Sequence, residues 1–375
     1  MNETTIFQSL HSHAKKMRIP NVWLVLSLSC TLLPGIAVAG FDEGLAAYGK
    51  KDFAAALREM KPLAIQGHAS AQYNLAVMYD LGQGVAKDEK AAVKWYRLAA
   101  GQGHAPAQCN LGLMHINGLG LAQDYTEAGR WFRLAADQGY ASAQYHLGWL
   151  YKNGQGIVQD YKEAVKWYRL AADQGQTNAQ SNLGAMYARG QGVAKDDREA
   201  VKWYLLAADQ GYPIAQVNLG LMYKNGQGVA QDYKEAVKWY RLGADQRYAA
   251  AQFNLGRMYE NGQGVAQDYQ ETVKWYRLAG DQGDAMAQNN LGVMYVTGRG
   301  VSKSRVVAYA LFNLSATGDP SSENDATGNR TLVAESMNNS EIEAAQELTR
   351  ALTQPKNFLS ALDKYGKRPA IKERA

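Results

Sequence analysis

Ala143-Gln144-Tyr145-His146-Leu147-Gly148-Trp149-Leu150-Tyr151-Lys152-Asn153-Gly154-Gln155-Gly156 opens a 36-residue unit whose reading decides the fold. Ala143, Leu147, Leu150 and Tyr151 recur at helical spacing and mark one apolar helix face. Gly148, beside Leu147, removes a side chain where a neighbouring helix must come close. Gly154-Gln155-Gly156 stops the helix, because glycine tolerates positive φ. Asp160-Tyr161-Lys162-Glu163 reads as a capping box, with Asp160 as N-cap and Glu163 reaching back. A second helix then sets Ala164, Trp167, Tyr168 and Ala171 along one side, and Gly175 ends it. The unit is helix, loop, helix, turn.

The unit repeats. Gly-x-Gly pairs fall at Gly82/Gly84, Gly118/Gly120, Gly154/Gly156, Gly190/Gly192, Gly226/Gly228, Gly262/Gly264 and Gly298/Gly300, always 36 residues apart. Trp95, Trp131, Trp167, Trp203, Trp239 and Trp275 keep the same period. One hairpin cannot bury its own apolar face; stacked copies can, so the core is a continuous seam. Phe41 to Ser70 reads as a shorter opening hairpin, with Phe53, Ala56 and Leu57 on its second helix. The seventh copy is altered, with Leu311 at the tryptophan position and Ser304 at the capping aspartate. Beyond it Leu332, Val333 and Met337 suggest a further helix. Ser340-Glu341-Ile342-Glu343 opens an amphipathic one on which Ile342, Ala345, Leu348 and Leu352 close the stack while Glu341, Glu343, Glu347 and Arg350 face water. The basic tail from Thr353 reads as loosely held.

The motif Ala143-Gln144, Leu147-Gly148, Tyr151, Gly154-x-Gly156, Ala164, Trp167-Tyr168, Ala171-Ala172 resembles the Sel1-like repeat family, relatives of the tetratricopeptide repeats. The resemblance spans about residues 41–320. It implies an all-α fold: a right-handed α/α superhelical solenoid of about seven 36-residue hairpins with capping helices at both ends. The domains expected are a signal peptide over 1–39, a solenoid over 40–320, and capping helices with a basic tail over 321–375. For function it implies an adaptor or scaffold.

The N-terminus reads as a leader. Lys15, Lys16 and Arg18 form a basic region before an apolar stretch from Val22 to Val38, and Ala37-Val38-Ala39 is a cleavage triplet before Gly40. Met17 is an alternative start that gives a leader of more usual length. The stretch is short for a membrane span, which needs about 20 apolar residues, and Ser27 stands where a lipoprotein motif around Cys30 would want leucine. These residues predict export, to a bacterial periplasm or beyond the cell, with no stable membrane insertion after cleavage. Cleavage leaves Cys109 alone, so no internal disulfide is expected.

Chemistry finds little support. His68, His104, His115 and His146 lack metal-ligand spacing, so no metal and no cofactor are expected. Cys109 reads as a structural thiol, and the Gly-x-Gly loops follow helices and lack the Lys-Ser/Thr of a P-loop. No Ser-x-x-Lys motif has suitable partners, and the cysteines of the secreted branch of the family, some members of which are linked to β-lactam hydrolysis, are missing. No catalytic residue is assigned, and an enzyme is not expected. With a net charge of +5 and no basic stripe, neither is a nucleic-acid partner. Lys166 and Arg169, with their equivalents, form a ladder on the second helices that reads as a solvated outer face, Glu163 pairing with Lys166.

Invariant positions build the stack, so partner choice should lie where equivalent positions differ. Comparison with tetratricopeptide repeats puts two first-helix positions on the concave side, four residues apart on one face. These include Tyr145, Trp149, Val217, Leu221, Phe253 and Arg257, an aromatic and apolar set with one arginine, the residue types that dominate binding hot spots. Lys152, Asn153, Lys224 and Asn225 would rim it with donors. Two readings stay open: an accessible groove, or side chains buried against the next repeat by the curvature. The function expected is a protein or peptide binder. The alternatives are an envelope hydrolase of cell-wall or β-lactam type and a structural spacer in an envelope assembly.

Overall fold

The computed structural model describes residues 37–319 and 325–366. Among them are 19 α-helices and no strand. The leader's basic residues, Met17, Cys30 and most of its apolar stretch lie outside the described residues; the first helix, α1 (Ala37–Gly49), begins at the predicted cleavage triplet. It pairs with α2 (Phe53–Ile65). Seven hairpins follow: α3 (Ala69–Leu81) with α4 (Glu89–Gly101), α5 (Ala105–Asn117) with α6 (Tyr125–Asp137), and α7 (Ala141–Asn153) with α8 (Tyr161–Asp173). Next come α9 (Thr177–Arg189) with α10 (Asp197–Asp209), α11 (Pro213–Asn225) with α12 (Tyr233–Asp245), α13 (Ala249–Asn261) with α14 (Tyr269–Asp281), and α15 (Ala285–Thr297) with α16 (Arg305–Gly318). Each helix packs on the one before and the one after, and the first helices α11 and α13 of successive repeats also touch, so the solenoid curves with first helices inside.

Local chemistry sets the helix ends. Asp160 accepts from the amides of Lys162 (2.8 Å) and Glu163 (3.1 Å), and Asp124, Asp196, Asp232 and Asp268 do the same in their repeats. The predicted capping box is only half made. The Glu163 carboxylate does not return to the N-cap; it accepts from Trp167 Nε1 (3.0 Å) and pairs with Lys166 (3.3 Å). A full box occurs instead at Asn338 and Glu341, so α18 (Asn339–Leu352) starts before the Ser340 expected to open it. His68 and His104 are N-caps as well, their Nδ1 atoms accepting from Ala71 and Ala107 at 3.1 and 3.2 Å.

The Gly-x-Gly pair has two jobs. Gly154 (φ +66°) ends α7 in the left-handed region. Gly156 also has positive φ, and a Cβ there would overlap the Tyr125 carbonyl of the preceding repeat. The loop is therefore an inter-repeat contact as well as a stop. Gly148 does what its position predicts: a Cβ would come within 2.8 Å of the Tyr168 ring.

Packing places the residue after the tryptophan deepest. Tyr96, Phe132, Tyr168, Tyr240, Tyr276 and Phe312 are among the largest fully buried side chains. Trp167 joins a cluster with Ala128 and Phe132 of the repeat before it and with Leu147 and Leu150 of its own. Tryptophan thus seals the seam between repeats, and the next aromatic fills it.

A polar chain runs through the same seam. Gln144, buried, donates to the Ala136 carbonyl (3.2 Å) at the end of the preceding repeat, and its Oε1 accepts from Gln174 (2.8 Å) at the end of its own. The pattern recurs at Gln72/Gln102, Gln108/Gln138, Gln180/Gln210, Gln216/Gln246 and Gln252/Gln282. Each link satisfies helix-end carbonyls that would otherwise be buried unpaired.

The C-terminal end differs from expectation at Glu341, which pairs with Arg305 instead of facing water, at Leu332, which is exposed, and in the tail. α17 (Ala326–Ala334) and α18 pack on α16, with Val333, Ala345, Leu348 and Leu352 buried and Ile342 half-buried. The tail expected to be loose forms α19 (Phe358–Gly366). Phe358 and Leu362 are buried in the terminal core, Phe358 fitting against Gly280, and Asp363 pairs with Arg277. Burying these two side chains outweighs the solvation of the tail's charges. The remaining basic residues, from position 367 on, lie outside the described residues.

Replacing Gln180 by leucine leaves the Ala172 carbonyl and the Gln210 amide without their buried partner. The expected loss is about 1–3 kcal/mol in urea unfolding, against under about 0.5 kcal/mol for Lys166→Ala on the surface. Equal losses would remove the polar chain from the account of stability.

Candidate partner-binding face

The first-helix positions singled out in the sequence divide into two depths. Val217 (7 % exposed) and Phe253 (1 % exposed) lie in the core, so they support the face from below. Tyr145 is half-buried, its ring centroid 5.9 Å from that of Tyr168. One turn further on, Trp149, Leu221 and Arg257 are half-buried and reach the surface. Val217 and Phe253 of the first row are buried, while Tyr145 and the second row stay half-buried.

Charge is distributed unevenly between the two kinds of helix. On the second helices Arg130, Lys166, Lys202, Lys238 and Lys274 each pair with a glutamate three residues earlier. Arg133, Arg169 and Arg241 donate to the hydroxyls of Tyr151, Tyr187 and Tyr259. From the second repeat to the sixth this ladder is matched, while Lys94 and Arg97 of the first repeat make no ion pair with a described carboxylate. On the first helices Lys152, Arg189, Lys224 and Arg257 make no ion pair with any described carboxylate. Burial lowers Lys152 to about 8, and the Arg189 charge of the next repeat adds to the shift. Burial and Arg257 lower Lys224 in the same way. Asn153, expected to offer a donor, spends one amide hydrogen on the Trp149 carbonyl (2.8 Å), and Asn225 donates to Gln227 at 3.3 Å.

The other candidates resolve into packing. Cys109 is buried, and burial pushes its thiol up to about 12, far from a thiolate at neutral pH. His146 stacks on Phe132 with centroids 5.0 Å apart, and burial lowers it to about 4. Among the described residues no group of three His, Cys, Asp or Glu side chains could hold a metal, and no helix is long and apolar enough to cross a membrane.

Known proteins share this fold. The Sel1 repeat pattern matches seven consecutive segments, 69–104, 105–140, 141–176, 177–212, 213–248, 249–284 and 285–320. The chain belongs to the Sel1 repeat family. A Sel1 repeat protein from Oxalobacter formigenes is similar in structure, with 34 % identity, a TM-score of 0.60, and coverage of 64 % of this chain and 96 % of that one. So is c5321, described as a protective antigen present in uropathogenic Escherichia coli strains displaying an SLR fold, with 27 % identity, a TM-score of 0.51, and coverage of 99 % and 98 %. No curated protein matches the sequence. Such folds generally serve as scaffolds for protein–protein interaction.

Lys152 is expected to titrate near pH 8 when its side-chain NMR signal is followed. The sign is that of a depressed lysine: below the midpoint the cation stands in a site that disfavours it, and an anion placed there raises the midpoint. A Lys152 midpoint above 10 would show the inner face to be fully solvated.

Proposed function

We propose that the chain is an exported scaffold whose concave face holds an extended segment of a protein partner. The observation that carries this is the half-buried row Trp149, Leu221 and Arg257 on the inner helices, resting on the buried Val217 and Phe253. A half-buried row over a packed floor loses little freedom when a partner covers it, which favours binding. Family membership supports protein partners, and the loss of a nucleophilic state at Cys109 argues against the hydrolase alternative. Export rests on the basic residues, apolar stretch and cleavage triplet of the leader, and the periplasm is the compartment proposed.

Two measurements test this. N-terminal sequencing of the mature protein is expected to begin at Gly40; a retained leader would overturn cleavage. A photo-crosslinking residue at position 149 or 221 is expected to capture a protein partner in cells, while the same residue at 166 on an outer helix captures none. Capture only from 166, or from no position, contradicts the groove.

A further inference from the structure

Four consecutive repeats, the third to the sixth, each place one cation on the inner face: Lys152, Arg189, Lys224 and Arg257. None has a carboxylate within ion-pair distance among the described residues, whereas Arg130, Lys166, Lys202, Lys238 and Lys274 on the outer helices each pair with a glutamate, leaving Lys162, Arg198 and Lys234 there exposed to solvent. At the same register positions these repeats hold a single acid, Glu260, and the Tyr276 hydroxyl donates to it at 2.5 Å. Where lysine stands at the Glu260 position, as in the third and fifth repeats, the equivalent hydroxyls of Tyr168 and Tyr240 are buried without a hydrogen-bond partner. The middle of the inner face therefore has an excess of cations and a shortage of acceptors. Half-buried Trp149 and Leu221 lie between the charges.

We propose that the partner segment is an acidic, extended polypeptide whose carboxylates sit on Lys152, Arg189, Lys224 and Arg257, with apolar side chains between them on Trp149 and Leu221. The inference rests on the groove reading and adds the chemistry of the occupant. Packed helices lie about 8–10 Å apart, and an extended chain advances about 3.3 Å per residue. One cation per repeat thus matches roughly one acid in every three residues. Duplex DNA, with a charge every ~1.7 Å, would leave most of its phosphates unmatched. At Tyr168 a bound carboxylate supplies the acceptor that Glu260 supplies to Tyr276, once the Lys152 side chain turns toward it.

The test uses the mature protein and a fluorescent peptide of about twelve residues with glutamate at every third position, read by anisotropy at low salt. A second peptide has glutamine in place of each glutamate, and single-stranded DNA is the competitor. The glutamate peptide is expected to bind at least about tenfold more tightly than the glutamine one, and Lys152→Gln/Lys224→Gln should remove most of that advantage. The outer pair Lys166→Gln/Lys238→Gln should change binding less than about twofold. Equal binding of the two peptides overturns the proposal, as does an equal loss in the outer variant. DNA displacing the peptide with the same dependence on Lys152 and Lys224 assigns the face to nucleic acid and also overturns it. Circular dichroism with the native helical signal excludes misfolding of the variants. Crosslinking from position 149 to a partner without acidic segments would sink the charge assignment and leave the groove standing.

Discussion

The stack depends on one recurring arrangement: a buried glutamine in the first helix of each of the first six repeats that joins two helix ends. Gln144 donates back to Ala136 and accepts from Gln174, so a single side chain fixes the distance between the preceding repeat and its own. A buried amide left unpaired costs about 1–3 kcal/mol, so a repeat shifted out of register is penalised at every link. Apolar burial alone would allow neighbouring helices to slide; the polar chain does not. The glycine loops tighten the same constraint, since only a residue without a Cβ fits between Gly156 and the Tyr125 carbonyl.

With register fixed by the invariant positions, the remaining positions are free to differ. On the outer helices one cation per repeat from the second to the sixth is answered by a glutamate three residues earlier. On the inner helices the remaining positions vary from repeat to repeat, and the structure sorts them by depth. Phe253 and Val217 fill the floor, while Trp149, Leu221 and Arg257 stand above it. Buried and half-buried side chains thus alternate on one helix, four positions apart.

Much of this was legible in the sequence. The 36-residue period gave the helices and their ends, because glycine and aspartate have strong positional chemistry. The polar chain was visible as two glutamine series, yet glutamine has weak local preferences and only the packed repeats show what it joins. His68 and His104 as caps escaped notice because imidazole is an uncommon N-cap. The tail helix announced itself in Phe358, Ala361 and Leu362 at spacings of three and one, but the charges around them drew the reading toward solvent. The depth of the inner row could not be read at all, since it depends on how far the stack curves. The unmatched charge of the inner face lay hidden for a related reason: the sequence showed basic residues everywhere, and only the packed structure shows that the inner cations have no carboxylate beside them.

The central claim is that constant residues hold the stack while the inner face of the middle repeats meets the partner. Hydrogen–deuterium exchange of the mature protein with and without bound acidic peptide tests it most directly. The account predicts slower exchange confined to the first helices α7, α9, α11 and α13, with α8, α10, α12 and α14 unchanged. Protection on those second helices, or only at the terminal helices α17 to α19, would contradict it.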